Sequence, residues 1–184
     1  MKKLLPLLLL CFLSGCDTRD DAMEEALHIR GKLLSSDCSF RCVITADYGE
    51  TLETFTLDCE SETDGELDFT VVSPESISGI AGSIDGEEGQ LIFDDKILAF
   101  PLLGQQRISP VSSPWILMRT LRNGCITSVS RTDTGLLLCV DDSYADDALN
   151  LEVRMDAQGR PIAGEISIQG RRIVSMVIEG FTYV

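Results

Sequence analysis

Apolar residues recur at every second position along most of this chain, and that period narrows its possible folds more than any other feature. Cys38, Phe40, Cys42 and Ile44 share one side of an extended segment, with Arg41 and Thr45 on the other. Phe55, Leu57 and Cys59 alternate with Thr54, Thr56 and Asp58, and Leu67, Phe69 and Val71 alternate with Glu66, Asp68 and Thr70. The pattern returns in Leu149, Leu151, Val153 and Met155, set against Asn150, Glu152 and Arg154. Ile162, Gly164, Ile166 and Ile168 likewise oppose Ala163, Glu165, Ser167 and Gln169. A helix would scatter such residues around its circumference, whereas a strand gathers them on one face. One dry face and one wet face describe an antiparallel sheet covered on a single side. Turns fall at Asp47-Tyr48-Gly49-Glu50, Asp85-Gly86, Asp94-Asp95, Asp133-Thr134-Gly135, Gln158-Gly159 and Gln169-Gly170. The runs between turns number about eleven.

Two segments carry a helical period instead. Asp20 or Asp21 is placed to cap a helix running to about Ser36, with Glu24 and Glu25 in its favourable first turn. Met23, Ala26, Leu27, Arg30 and Leu34 give it a stripe at three- and four-residue spacing. Between residues 101 and 124 the strand pattern stops at Pro101, Pro110 and Pro114. Ser113-Pro114 reads as an N-cap followed by proline at the first helical position. Trp115, Leu117, Met118 and Leu121 form the apolar side of a short helix, and Asn123-Gly124 ends it. A long one-sided sheet must bury its dry face on something. With two helices available, the expectation is a mainly antiparallel β (α+β) fold: a half-barrel of about eleven strands wrapped around both helices.

The first residues follow another design. Lys2 and Lys3 precede an apolar stretch from Leu4 to Leu13, far shorter than the ~20 residues that span a bilayer. Leu13-Ser14-Gly15-Cys16 follows, and the chain then turns polar at Asp17. This order resembles the lipobox of bacterial lipoproteins. The resemblance implies cleavage before Cys16 and a diacylglycerol thioether on its sulfur. The organisation expected is a lipoprotein signal peptide (1–15), a lipidated tether (16–22) and one domain (23–184). Removing residues 1–15, which carry Lys2 and Lys3 and no acid, moves the formal charge from −15 to −17. Such an acidic surface repels phosphate backbones, which excludes nucleic acid as a partner.

The order helix, about six strands, proline-framed short helix, about five strands resembles the LolA/LolB-like lipoprotein-carrier superfamily. Local motifs that carry the likeness are Leu67-Asp68-Phe69-Thr70-Val71-Val72-Ser73-Pro74, Gly89-Gln90-Leu91-Ile92-Phe93-Asp94-Asp95, and Ser109-Pro110 ahead of the helix from Pro114 to Leu121. The resemblance implies an apolar cavity for a lipid or acyl chain between sheet and helices. Phe40, Ile44, Phe55, Leu57, Phe69, Trp115, Leu117, Met118 and Leu121 are its expected lining. The alternative is that these residues pack together as a closed core.

Five cysteines remain beyond Cys16: Cys38, Cys42, Cys59, Cys125 and Cys139. An exported location favours disulfides. Cys59 has both Cys38 and Cys42 as candidate partners on an adjacent strand. Cys125 and Cys139 fall diagonally across a hairpin, which is poor disulfide geometry. Five is odd, so at least one thiol stays free, and all five buried and reduced is the alternative. Cys38-x-x-x-Cys42 lies in a strand with no histidine near it, so no zinc site is expected. His28 is the sole histidine, on the first helix and isolated, which argues against a catalytic triad. No glycine-rich loop leads into a helix to cradle phosphate. Neither an enzyme nor a cofactor is expected. Two functions follow: a membrane-anchored extracytoplasmic lipoprotein that holds a hydrophobic ligand in its half-barrel, or a non-enzymatic scaffold that binds a cell-envelope protein.

Overall fold

A computed structural model describes residues 18–47, 49, 51–86, 88–93, 96–101, 103–104 and 107–184. The signal segment 1–15 and Cys16 lie outside the described residues, as do the turn residues Tyr48, Glu50, Asp94 and Asp95.

Helix α1 spans Thr18–Ser35 and is followed by six strands: β1 (Cys38–Asp47), β2 (Leu52–Ser61), β3 (Leu67–Ser73), β4 (Ala81–Asp85), β5 (Glu88–Phe93) and β6 (Lys96–Pro101). A small ribbon of β7 (Leu103–Gly104) and β8 (Arg107–Ile108) comes next. Helix α2 (Ser113–Asn123) then precedes β9 (Cys125–Thr132), β10 (Gly135–Asp141), β11 (Leu149–Asp156), β12 (Pro161–Ile168) and β13 (Arg171–Tyr183). Eleven strands join in one antiparallel sheet of order β6-β5-β4-β3-β2-β1-β13-β12-β11-β10-β9. The chain builds one wing outward from β1, crosses through α2, and builds the other wing back inward until β13 pairs with β1.

The sheet is curled and not closed. Helix α2 touches both β2 and β10, which stand five strand steps apart in the sheet. At about 4.8 Å per step, a flat sheet would separate them by about 24 Å, more than one helix reaches. Helix α1 lies against β9, β10 and α2. The eleven-stranded half-barrel around two helices is therefore as the period-two pattern required.

Inward residues of both wings form one core. Phe40, Cys42 and Ile44 from β1, Leu136, Leu138 and Val140 from β10, and Leu151, Val153 and Met155 from β11 are all buried in it. Strand alternation holds nearly everywhere, and one exception is instructive. A bulge between Arg154 and Met155 places Pro161, not Ile162, opposite Met155. Pro161 is buried in place of Ile162, which is half-buried. Proline has no N–H for the ladder, so its tolerance at a bulge is expected. The hairpin between β12 and β13 turns on Gln169 (φ 50°) and Gly170 (φ 77°), the pair of positive angles that a two-residue loop needs.

Three helix readings require correction. Helix α1 begins at Thr18, so Asp20 and Asp21 lie inside its first turn and do not cap it. Its buried residues are Ala22, Ala26, Ile29 and Leu33, while Leu27 and Leu34 are exposed. The buried stripe is thus shifted around the helix from the one that large side chains suggested, because two alanines let α1 approach its neighbours closely. At α2 the cap position belongs to Ser112, whose hydroxyl donates to the Ser109 carbonyl. Ser113 is already helical and Pro114 follows it in the first turn. Gly124 ends the helix with φ −72°, not in the left-handed region. Glycine is needed there for space: a Cβ would stand 2.6 Å from the Asp141 carbonyl oxygen and 2.8 Å from Val140 Cγ1.

Candidate functional site

The residues expected to line a cavity do converge on the inner face. Phe40, Ile44, Leu57 and Phe69 reach it from β1, β2 and β3, and Trp115, Leu117, Met118 and Leu121 from α2. Phe55 packs half-buried at the margin of the same cluster. Ile44, Leu57 and Leu117 are each 0 % exposed, so no water-sized space touches them. A side chain lining an open cavity would retain some accessible area. The interior beneath α2 is filled by side chains.

Two arginines fasten the helices in a reciprocal clasp. Arg122, near the end of α2 and only 5 % exposed, donates from Nε to the Leu33 carbonyl of α1 at 2.9 Å. Its Nη1 donates to Ser61 Oγ at 3.0 Å and to the Glu62 carbonyl at the end of β2. Its Nη2 reaches the Ser36 carbonyl. The Leu33 carbonyl belongs to the last turn of α1 and the Ser36 carbonyl lies just past its end, where a cation meets unpaired acceptors and the negative end of the helix dipole. In return, Arg30 Nε of α1 donates to the Leu121 carbonyl in the last turn of α2 at 2.8 Å. Burial holds the Arg30 guanidinium below its usual pKa. Trp115 adds a third fastening, its indole N–H donating to the Gly65 carbonyl in the β2–β3 turn at 3.0 Å. Spacing alone did not single out this clasp, because Arg30 and Arg122 lie far apart in the chain.

The five thiols are unpaired. Cys42 faces Leu57 and Cys59 faces Phe40 across β1 and β2, while Cys38 faces Ser61. Cys59 is therefore diagonal to both candidate partners, about 7–8 Å away, whereas a disulfide needs Cβ atoms about 3.5–4.5 Å apart. On the other wing Cys125 faces Asp141 and Cys139 faces Ser128, so they do not meet either. Burial pushes the Cys42 thiol up to about 12 and raises Cys59 well above its usual value. Such thiols behave as small apolar core residues and not as nucleophiles or metal ligands. His28 is exposed on α1.

A concave feature does exist, on the opposite, wet face. A groove of about 820 Å³ runs across β13, β1, β2, β3, β4 and β5. Among its lining residues are five carboxylates (Asp58, Glu60, Glu66, Asp68 and Glu179) and one guanidinium, that of Arg41. Arg41 is already engaged, bidentate on Asp58 at 2.7 and 2.8 Å. Hydrogen bonding from Arg41 holds the Asp58 carboxyl below its ordinary range. At one end of the groove, Glu66 belongs to a trio with Glu62 and Asp64 whose ligand oxygens lie within 4.8 Å of one another. Desolvation, followed by the charges of Asp68, Glu62, Asp85 and Asp64, raises the Glu66 pKa. The alternation of the sequence marks the wet face, but it does not show that this face is hollow.

Similar shapes occur among solved structures. An uncharacterized conserved protein from Thermus thermophilus aligns at 13 % identity and TM-score 0.49, covering 88 % of this chain and 87 % of that one. A LolA superfamily protein from Nitrosomonas europaea aligns at 9 % identity and TM-score 0.44, covering 85 % and 92 %. The lipoprotein LppX from Mycobacterium tuberculosis aligns at 9 % identity and TM-score 0.42, covering 88 % and 96 %. No family model and no curated protein sequence matches the chain. Its own strand order and the helix pair on its inner face are what make it a half-barrel. No described helix is long and apolar enough to cross a membrane.

Proposed function

We propose that this chain is a non-enzymatic interaction protein, lipidated on Cys16 and held on the extracytoplasmic face of a membrane, whose half-barrel presents its surface to a cell-envelope protein. The observation that carries this reading is the filled interior. Ile44, Leu57 and Leu117, where an acyl chain would lie, are already packed out of reach of solvent. A carrier needs a pocket of about 300–1,000 Å³ around its ligand, and the groove of that size lies on the polar face. The lipobox-like run ending at Cys16 and the short apolar stretch before it support anchoring by lipid.

Lipid carriage is a second reading, favoured by one observation. The hydroxyls of Ser113 and Thr120 are buried on α2 without a hydrogen-bond partner. They lie seven residues apart, about two turns, and so on one side of the helix. Outward movement of α2 would open an apolar space with two polar groups at its wall.

Native mass spectrometry of the protein taken from its host membranes separates the two. The interaction reading expects the chain with its Cys16 lipid and no second hydrophobic molecule, and crosslinking in the host should trap one protein in stoichiometric yield. A stoichiometric bound lipid, with no crosslinked protein, would overturn it. Replacing Cys16 with Ala should move the protein out of the membrane fraction. Retention there would remove the anchor from the proposal.

A further inference from the structure

We infer that the wet-face groove is a docking site for an extended, basic segment of a partner protein, with the exposed Ile92–Ile97 pair as its apolar end. This rests on the reading of the chain as an interaction protein and names where and what it binds. The first observation is charge in a hollow. Glu60 and Asp68 face one another across β2 and β3. Glu179 shares Arg41, its neighbour across β13 and β1, with Asp58, so the groove sets five carboxylates against one guanidinium. Carboxylates gathered in a concave surface focus the field, so a complementary lysine or arginine gains more there than on a flat face.

The second observation is independent of charge. Outward positions on the central strands are mainly polar, with Val43 facing the exposed Val177 across β1 and β13 as an apolar exception, and a more exposed apolar pair comes where the sheet reaches β5 and β6. There Ile92 faces Ile97 across the strand pair on the wet side, at 48 % and 66 % exposure. Neither residue belongs to the core, so only their pairing across the two strands ties them to the fold. Paired exposed aliphatics beside a polar groove suit an apolar anchor on a partner.

Geometry selects the occupant. Glu179, Glu60 and Asp68 sit on β13, β2 and β3, with Arg41 of β1 between the first two. Three strand steps span about 14 Å, too far for one ion to bridge. From β13 to β6 is six steps, about 29 Å, the length of eight to nine extended residues. Nucleic acid and anionic lipid are repelled by the same carboxylates. Glu66, with Glu62 and Asp64 beside it and Asp68 and Asp85 nearby, adds to the same negative field.

The test uses the full lipidated chain in neutral phosphatidylcholine nanodiscs, with empty nanodiscs subtracted. The probe is a labelled nine-residue peptide carrying three lysines at one end and two leucines at the other, spaced by serine. Anisotropy at low salt should show saturable binding that weakens as salt rises. Replacing Glu60→Gln, Asp68→Asn and Glu179→Gln together should weaken it at least tenfold. Replacing Asp133→Asn, Asp146→Asn and Asp147→Asn, exposed acids outside the groove, should change it less than twofold. Ile97→Ser should weaken it several-fold while leaving binding of a leucine-free hexalysine unchanged. Equal losses in both triple variants, or no saturable binding at low salt, would overturn the groove. Saturable calcium uptake that displaces the peptide at sub-millimolar ion would also overturn it, in favour of a cation site at Glu62, Asp64 and Glu66. In-host crosslinking keeps the two ideas apart. A partner trapped equally by wild type and the groove variant sinks the groove alone, and no partner with either sinks the interaction reading as well.

Discussion

The two edges of the sheet are finished in different ways. At the β9 edge, α1 lies along β9 and β10, and Arg131 of β9 pairs with Glu25 of α1 at 2.8 Å. The neighbouring inward residues Leu136, Leu138 and Val140 are buried, and the exposed ones on β9 are Thr127, Ser128, Ser130, Arg131 and Thr132, all polar. At the β6 edge, Leu98 points to the inner side and Ile97 to the outer, yet they are 61 % and 66 % exposed. An edge strand bearing apolar residues on both faces invites pairing or docking, and a covered edge does not. The same chain thus buries the inward residues of β1–β4 and β10–β13 in one core and leaves the β5–β6 edge as surface. That division is why the core and the proposed docking face can be altered separately.

The largest effect should come from the clasp that draws the two helices into the covered wing. Arg122→Met removes several charge-assisted hydrogen bonds and orphans carbonyls of α1 and β2. Its cost should be about 3–4 kcal/mol, read as a lower midpoint in urea unfolding. Leu138→Ala, within the covered wing, should cost about 2–3 kcal/mol by removing packed methyl groups. Leu98→Ala is the same kind of truncation at the open edge, and it should change stability by less than about 0.5 kcal/mol. Amide exchange should sharpen the contrast without any substitution: β10 to β13 should exchange at the slowest rates, and β5 and β6 much faster. Comparable costs for Leu138→Ala and Leu98→Ala would break the comparison, because they would mean that the β6 edge is covered after all.

A small effect is expected from the ion pair in the groove. Arg41 holds Asp58 below its usual pKa, with both side chains about half exposed. A depressed carboxyl contributes stability that is present above its unfolded pKa and fades as pH falls through the lower folded value. Solvent screening keeps that contribution minor at the surface. In an NMR titration, Arg41→Gln should return Asp58 toward 3.8, with the unfolding midpoint at pH 7 nearly unchanged. A large loss of stability would show that the pair belongs to the fold and not to the groove.

Much of the architecture was legible because it depends on local periods. Alternation at Phe40, Cys42 and Ile44, or at Leu151, Val153 and Met155, assigns faces without knowing which strand lies beside which. Pro110 and Pro114 announced the crossing between wings. The errors fell where a tertiary contact overrode a local rule. Large side chains drew the reading of α1 to Leu27 and Leu34, but close packing selected Ala22 and Ala26. Cys59 looked reachable from Cys38 and Cys42 until the register made both pairs diagonal. The candidate lining residues do share the inner cluster, yet whether they enclose space depends on how tightly α2 seats, which no pattern records.

Read as a string, the chain determined a one-sided antiparallel sheet, two helices to cover it, and the inward set of residues, because side-chain direction follows backbone period. Tertiary structure decided that the space beneath α2 is filled, that Arg30 and Arg122 clasp the helix ends, and that a hollow opens on the wet face. Those outcomes depend on curvature and on residues distant in the chain, whose meeting is set by the packing of whole elements and not by local preference.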